Sequence, residues 1–453
     1  MAQQVSGKQS WRGWQSLTAR FSGDTRYRNA LLMLPALGAL ALILYFGQNT
    51  PFWDDWELVP IFQHLHAGHF YWHDFWQQHN EHRIPIPTLI LVGLAYVTRW
   101  NLLAECALSL LVAVGAFWVL CKATALTAQG GVRKPAVGWL LAISLIWFSL
   151  GQVENWLWGW QLEWFLNVLG VVSVVYGLAR LQRGSVTGKW LLLMLGGGAL
   201  AQYSLGNGTL LWPLMLLAML YLRAAAWQTV ATLITGTLTT AVYYSHYSLG
   251  IDKASRHLAL HHPTAYAEYI LLYIGRPLSY RLKPALGLGI VSLGVFFILA
   301  GYLLWRRRQL FRRTIPWIVL GLYALGSAVI TGAARLGFGV NEAMSSRYTT
   351  IASLFLVSVL MLIWTSREAV RKVLKGVYRP ALIAVGIGLY GLVLINMAWG
   401  VHAAAGQHTK LVAAHTCTQV REPTDTCVLT IYPDSSMVKS RIQYLKTVHW
   451  GGY

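Results

Sequence analysis

Ile84-Pro-Ile-Pro-Thr-Leu-Ile-Leu-Val-Gly-Leu-Ala-Tyr-Val97 is the segment on which the topology of this chain turns. It is apolar enough to cross a bilayer. If it crossed, every later loop would change sides, and the basic run Arg306 to Arg313 would lie outside, against the tendency of Lys and Arg to stay cytoplasmic. Pro85 and Pro87 suit the first turn of a helix. The segment therefore reads as a juxtamembrane helix on the outer face, and Tyr266 to Tyr280 reads the same way.

The rest of the chain frames that choice. Of 453 residues, 56% are hydrophobic and only 11% charged, where soluble domains carry about 25% charged residues. Runs of about 20 apolar residues follow one another, as bilayer-spanning helices require. Spans are expected near 29–47, 102–121, 136–151, 162–179, 189–204, 209–226, 227–247, 284–304, 315–333, 348–366 and 380–400. The sequence thus predicts an all-α polytopic membrane protein with about 11 transmembrane helices. A cytoplasmic basic tail covers 1–28, the transmembrane domain 29–400, and a small outer tail 401–453, with a strand around Val428 to Tyr432. The first run, Leu31 to Phe46, follows Arg12, Arg20, Arg26 and Arg28; lacking a small-residue cleavage site, it stays as a span.

Charge placement supports this threading. It puts 22 of the 36 basic residues on the cytoplasmic side, close to span ends. The net charge of +20 then reflects topology and anionic lipid headgroups, and no nucleic-acid partner is expected. The acids were not used to choose the topology, yet 14 of 16 fall outside or at outer span ends, as do all 14 histidines. Only Asp24 and Glu368 fall inside. One face of the protein therefore carries the polar chemistry, and its longest loop is 48–101.

That loop opens with Phe52-Trp-Asp-Asp-Trp-Glu57. Adjacent carboxylates repel, which raises the proton affinity of one and suits it to general-base work. Alone, Asp54 and Asp55 would read as a solvated helix cap. Gln77-Gln-His-Asn-Glu-His-Arg83 follows, abutting the proline-headed helix. Arg83, His82 and the helix N-terminus together suit a phosphate at the lipid surface, against the plainer reading of a snorkelling arginine.

Two further constellations lie on the same face. Gln152-Val-Glu154-Asn155-Trp156-Leu-Trp158-Gly-Trp160-Gln161-Leu-Glu163-Trp164 fills the turn between spans three and four. The tryptophans alone describe an interfacial belt; Glu154, Asn155, Gln161 and Glu163 add what sugar hydroxyls need. Arg335 and Arg347 bracket a glycine-bearing loop containing Asn341 and Glu342 and ending at Tyr348. Arginine forks match phosphate, so Arg347 is expected to hold one, with Arg335 as its partner or as a link to Glu342. Asn207, in Gly206-Asn-Gly208, lies in a smaller outer turn. His69 and His73, four apart, suggest one helical face and a metal, but no tight ligand motif accompanies them. Cys417 and Cys427 could pair if the tail is oxidised, while Cys106 and Cys121 lie in apolar helix.

Asp54-Asp55 directly after the first span, then Glu81-His82-Arg83-Ile84-Pro85 at the start of a juxtamembrane helix, resembles the polytopic GT-C glycosyltransferases. Members carry an acidic pair in the first outer loop and a His-Pro-Pro or Glu-Lys-Pro-Pro type motif after it. This chain has Arg for Lys and Pro-Ile-Pro for Pro-Pro. The likeness is one of layout over residues 29–180. It implies transfer of a sugar from a polyprenyl-phosphate carrier, with inversion, to an acceptor hydroxyl on an envelope glycan, a glycolipid or a secreted protein such as a pilin. By that resemblance Asp55, or Asp54, is the base. Arg347, Arg83, Arg335, His82 and Tyr348 hold the donor phosphate, and Glu81, Glu154, Asn155, Trp158, Gln161, Asn207 and Glu342 hold sugar or acceptor. A divalent cation, Mg or Mn, stays open. The expected setting is a bacterial inner membrane with the active face and the C-terminus periplasmic. An O-antigen polymerase or ligase, which would not need Asp54-Asp55, and a polytopic transporter are the alternatives.

Overall fold

The computed structural model describes residues 25–128, 135–184, 187–248, 253–420 and 422–453. The basic tail up to Asp24, the loop bearing Arg133 and Lys134, and Asp252 lie outside these residues.

Among the described residues the protein is all-helical and has no strand, as expected of a chain whose backbone must satisfy its own hydrogen bonds in hydrocarbon. Six helical stretches are long and apolar enough to cross a membrane: Arg26–Phe46, Leu102–Ala128, Gly159–Leu181, Leu282–Arg306, Arg308–Phe338 and Ser346–Thr418. The last of these contains both of the final two expected spans. The other four expected spans are helices as well, at Val137–Trp147, Gly188–Ser204, Leu211–Leu222 and Ala226–Tyr244. These are shorter or less apolar than a self-sufficient span.

The segment that decides the topology is a helix, Pro85–Thr98, with both prolines in its first turn and a left-handed Arg99 after it. At 1.5 Å per residue its 14 residues reach about 21 Å, short of the roughly 30 Å hydrocarbon core. It lies against the 102–128, 162–181 and 188–204 helices. The Tyr266–Tyr280 stretch falls largely on another short helix, Pro263–Gly275.

The 162–181 helix is the centre of the bundle, packed by the 102–128 and 188–204 helices. Small residues let the backbones close: a methyl on Gly170 would sit 2.4 Å from the Gly197 carbonyl oxygen, the close approach that membrane helix pairs use.

The C-terminal residues differ from expectation. The helix beginning at Tyr378 runs without a break to Thr418, through position 401. The strand expected at Val428 to Tyr432 does not form; Asp425–Val428 is a short helix and a turn follows. Val428, Ile431, Val438, Ile442 and Leu445 share one apolar core with Trp56, Phe62 and Trp100 of the first loop region. Val428 and Ile431, three apart as a helical turn places them, bury against that region while Leu429 stays exposed. Cys417 and Cys427 form a disulfide with Cα atoms 6.3 Å apart, which suits an oxidising compartment. Cys106 and Cys121 are free.

Candidate functional site

The acidic loop is a single 3-10 turn, Trp53–Leu58, that aims its two aspartates in opposite directions. Asp55 points inward and is 1% exposed. Its Oδ2 accepts the Phe52 amide at 3.0 Å, closing the turn. Its Oδ1 is buried with no hydrogen-bond partner. Burial, helped by the neighbouring Asp54 charge, raises the Asp55 carboxyl to about 8. Asp54 points the other way. Its side chain is 24% exposed, and His79 Nε2 lies 3.6 Å from its Oδ2.

The Asp55 shift has a consequence for stability. Between an unfolded pKa near 3.8 and a folded one near 8, the folded protein binds the extra proton. Stability from this group is therefore full below pH 4 and is lost as pH rises through 8. Asp55→Asn should flatten that slope. Thermal unfolding in detergent from pH 5 to 9 checks it, and an unchanged slope would contradict the burial.

His79 belongs to a four-residue turn. His79 and His82 exchange both backbone hydrogen bonds, at 2.8 and 3.0 Å, around a left-handed Asn80. The turn touches three partners at once. His79 faces Asp54 and packs against Trp160. The Glu81 carboxylate pairs with Arg335 at 2.5 Å. His82 Nε2 lies 3.6 Å from Glu163 Oε2. That last distance is too long for a hydrogen bond. Burial, then the His79 and Arg335 charges, hold His82 down at about 3, so its ring is neutral and the contact is no ion pair. Gly206, which precedes Asn207, packs on the same turn, where a methyl would meet His82 Cβ at 3.2 Å.

The segment 152–164 closes the other side. Glu154 Oε2 accepts from Ser345 Oγ, Ser346 Oγ and the Arg347 amide at 3.0, 2.7 and 3.0 Å. Asn155 Nδ2 donates to the Arg347 carbonyl at 2.8 Å. These bonds fasten the arginine loop from below. Arg347 in turn pairs with Glu342 at 2.6 Å, and Tyr348 donates to the same carboxylate at 3.3 Å. Arg335 therefore links to Glu81, not to Glu342 as the sequence allowed. Three stretches far apart in sequence meet in one polar cluster: 54–82, 154–163 and 335–348.

Not every expected residue joins it. Arg83 is 4% exposed and gives its guanidinium to the Tyr243 and His246 carbonyls, at 2.9 Å each. It clasps the Ala226–Tyr244 helix end, and its Nε is buried without a hydrogen-bond partner. Trp156, Trp158, Trp160 and Trp164 are all buried; Trp158 meets Phe52 edge-on at 5.7 Å. Trp158 and Trp160 share a core with Trp56 of the acidic loop, while Trp156 stacks on Phe165 and Trp164 packs against Tyr348. Gln161 is buried among them, its Oε1 unpartnered. His69 lies in a turn between two helices, outside the helix that holds His73, so the shared helical face does not exist. Among the described residues no group of three His, Cys, Asp or Glu side chains is arranged for a metal.

Glu105, marked by the sequence only as an ionisable residue near a span end, lies close by. It sits in the first turn of the Leu102–Ala128 helix, 1% exposed, with both carboxyl oxygens unpartnered. Gly159 lies directly above it: a methyl there would fall 2.7 Å from Glu105 Cβ and 2.0 Å from Oε2. Gly159→Ala should therefore lower stability by about 1–3 kcal/mol through overpacking. A thermal-shift series in detergent reads this, and a neutral result would contradict the contact.

Comparison with protein-family models, with curated proteins and with solved structures finds no match to this chain.

Proposed function

We propose that this chain is a membrane glycosyltransferase of the GT-C type, moving a sugar from a polyprenyl-phosphate carrier to an acceptor hydroxyl at the outer face of the membrane. One observation carries it: a partly exposed carboxylate, Asp54, shares a cluster with two arginines, Arg335 and Arg347, whose forks are held by carboxylates a phosphate can displace.

The chemistry follows from the residue types. Asp54 accepts the acceptor hydroxyl proton as that oxygen bonds to the anomeric carbon. The carbon–oxygen bond to phosphate breaks, and its electron pair stays on the phosphate. Arg347 and Arg335 bind that growing charge bidentately, which lowers the barrier because the donors are already in place. A single displacement inverts the anomeric centre.

The base is Asp54 rather than Asp55, the residue favoured from sequence alone. A general base must reach the proton it takes, and Asp55 is sealed in the turn it caps. Asp55, Glu154 and Asn155 hold the site in shape. Glu81, Glu342 and His82 would offer sugar hydroxyls their partners, with buried Tyr348 behind Glu342 and Asn207 in the neighbouring turn. The topology proposed with this function is the threading of about 11 spans with the cluster periplasmic. In that threading Val137–Trp147, Gly188–Ser204, Leu211–Leu222 and Ala226–Tyr244 cross as well, the 11- and 12-residue members with the help of their flanking turns.

Radiolabel transfer from a polyprenyl-phosphate sugar pool, in membranes carrying wild type, Asp54→Asn, Asp55→Asn or Arg347→Ala at equal expression, tests the assignment. A second reading, a proton-coupled transporter, draws on Glu105 and Glu163, whose buried oxygens lack partners near membrane helix ends. Solute flux that persists without sugar transfer would favour it.

A further inference from the structure

We infer that the C-terminal segment is a working wall of the candidate site: Ile431, Tyr432 and Arg441 position the acidic loop, and the Cys417–Cys427 disulfide holds them against it. The effect on transfer rests on the proposed glycosyltransferase function; the effect on the loop does not.

The residues flanking the two aspartates are tied to this segment on both sides. The Trp53 amide donates to the Ile431 carbonyl at 2.9 Å. Trp53 itself takes φ +48°, a left-handed conformation that costs a tryptophan energy and persists only under outside support. On the far side, Arg441 Nη1 donates to the Trp56 carbonyl at 2.6 Å and lies 3.9 Å from Glu57 Oε1. Tyr432 donates its hydroxyl to the same Glu57 oxygen at 2.8 Å. Within the loop, the Asp55 side chain accepts from the Phe52 amide and the Asp55 amide donates back to the Phe52 carbonyl at 3.2 Å. The orientation that turns Asp54 outward is therefore set by contacts nearly four hundred residues away in sequence.

The wall is anchored rather than draped. Ile431 and Val428 are fully buried beside Trp56, and Trp450 packs edge-on against Phe62 at 5.2 Å. Gln419 Nε2 donates to the Gly452 carbonyl at 2.9 Å, and Thr50 bonds His415 at 3.0 Å. The disulfide fixes where the chain turns back from the Tyr378–Thr418 helix, four residues before Ile431. Opening it frees the segment that carries the Trp53 bond.

Hydrogen–deuterium exchange on the purified full-length protein in detergent tests this. It compares oxidised wild type, the same folded protein after phosphine reduction, Arg441→Gln and Arg441→Lys. Exchange over residues 53–57 should rise roughly tenfold on reduction and in Arg441→Gln, with 162–181 unchanged. Arg441→Lys, which keeps a charged donor, should recover part of the protection. Transfer should fall roughly in step, in turnover more than in donor KM. Tail peptides that open on reduction while 53–57 keeps its protection would overturn the inference, as would a loosened loop with full transfer. If wild type transfers no sugar, the function fails, and the exchange data still decide the loop. Reducing folded protein avoids dependence on Cys417→Ser or Cys427→Ser reaching the membrane.

Discussion

Asp54→Asn should abolish sugar transfer, with a loss of roughly 10²–10⁴-fold, the usual contribution of a positioned general base. The substitution keeps the size of the side chain and removes only its ability to take a proton. Asp54 makes no hydrogen bond to a described residue and faces His79 at 3.6 Å, so the fold should survive. Asp55→Asn should behave differently. Its carboxyl, raised to about 8, is already neutral at pH 7, and the amide can still accept the Phe52 N–H. Transfer should drop no more than about tenfold, through looser placement of Asp54. Initial rates at saturating donor, with expression and thermal stability matched, separate the two. Equal losses in both variants would contradict the division of labour drawn from their burial.

Arg347→Ala should be the second large effect, lowering transfer by roughly 10²-fold, as expected when a charge-assisted bidentate contact to a leaving phosphate is lost. Arg347→Lys should recover little, because an ammonium cannot reproduce the fork. The substitution removes the Arg347–Glu342 pair but leaves the Glu154 bonds to the Arg347 amide and the Ser345 and Ser346 hydroxyls, so rates are compared at matched thermal stability. Arg83→Lys makes the useful contrast. Arg83 gives two nitrogens to the Tyr243 and His246 carbonyls, so its loss should appear as lowered thermal stability with turnover per folded molecule largely kept. A donor-concentration series for each variant reads the difference. An Arg347→Ala enzyme with wild-type turnover would remove the arginine from the phosphate.

Much of the helical layout was legible because bilayer-scale apolar runs leave few alternatives. The Ile84 to Val97 segment could be judged from charge parity, and it forms a 14-residue helix with both prolines in its first turn. The three polar stretches were each visible as anomalies in an apolar chain. Their partners were not. Whether Arg335 reaches Glu342 or Glu81 depends on how two loops 254 residues apart dock, and local spacing carries no such information. The tryptophans of 156–164 illustrate a second limit: composition cannot tell a ring that faces solvent from one that floors a loop. The strand expected at Val428 to Tyr432 failed for a related reason, since a short apolar run with Val428 and Ile431 three apart also suits a short helix and turn packed on Trp56. Glu105 was readable as an ionisable residue near a span end, but its burial under Gly159 appears only in three dimensions.

The most direct test is reconstitution. Purified protein in proteoliposomes would be offered a panel of radiolabelled polyprenyl-phosphate sugars with a periplasmic glycan or lipid acceptor extract. Released lipid phosphate, product linkage and solute flux would be followed together. The account predicts consumption of one donor, a product of inverted anomeric configuration, dependence on Asp54 and no net flux. Donor left intact while a solute crosses the membrane, in wild type and Asp54→Asn alike, would contradict it.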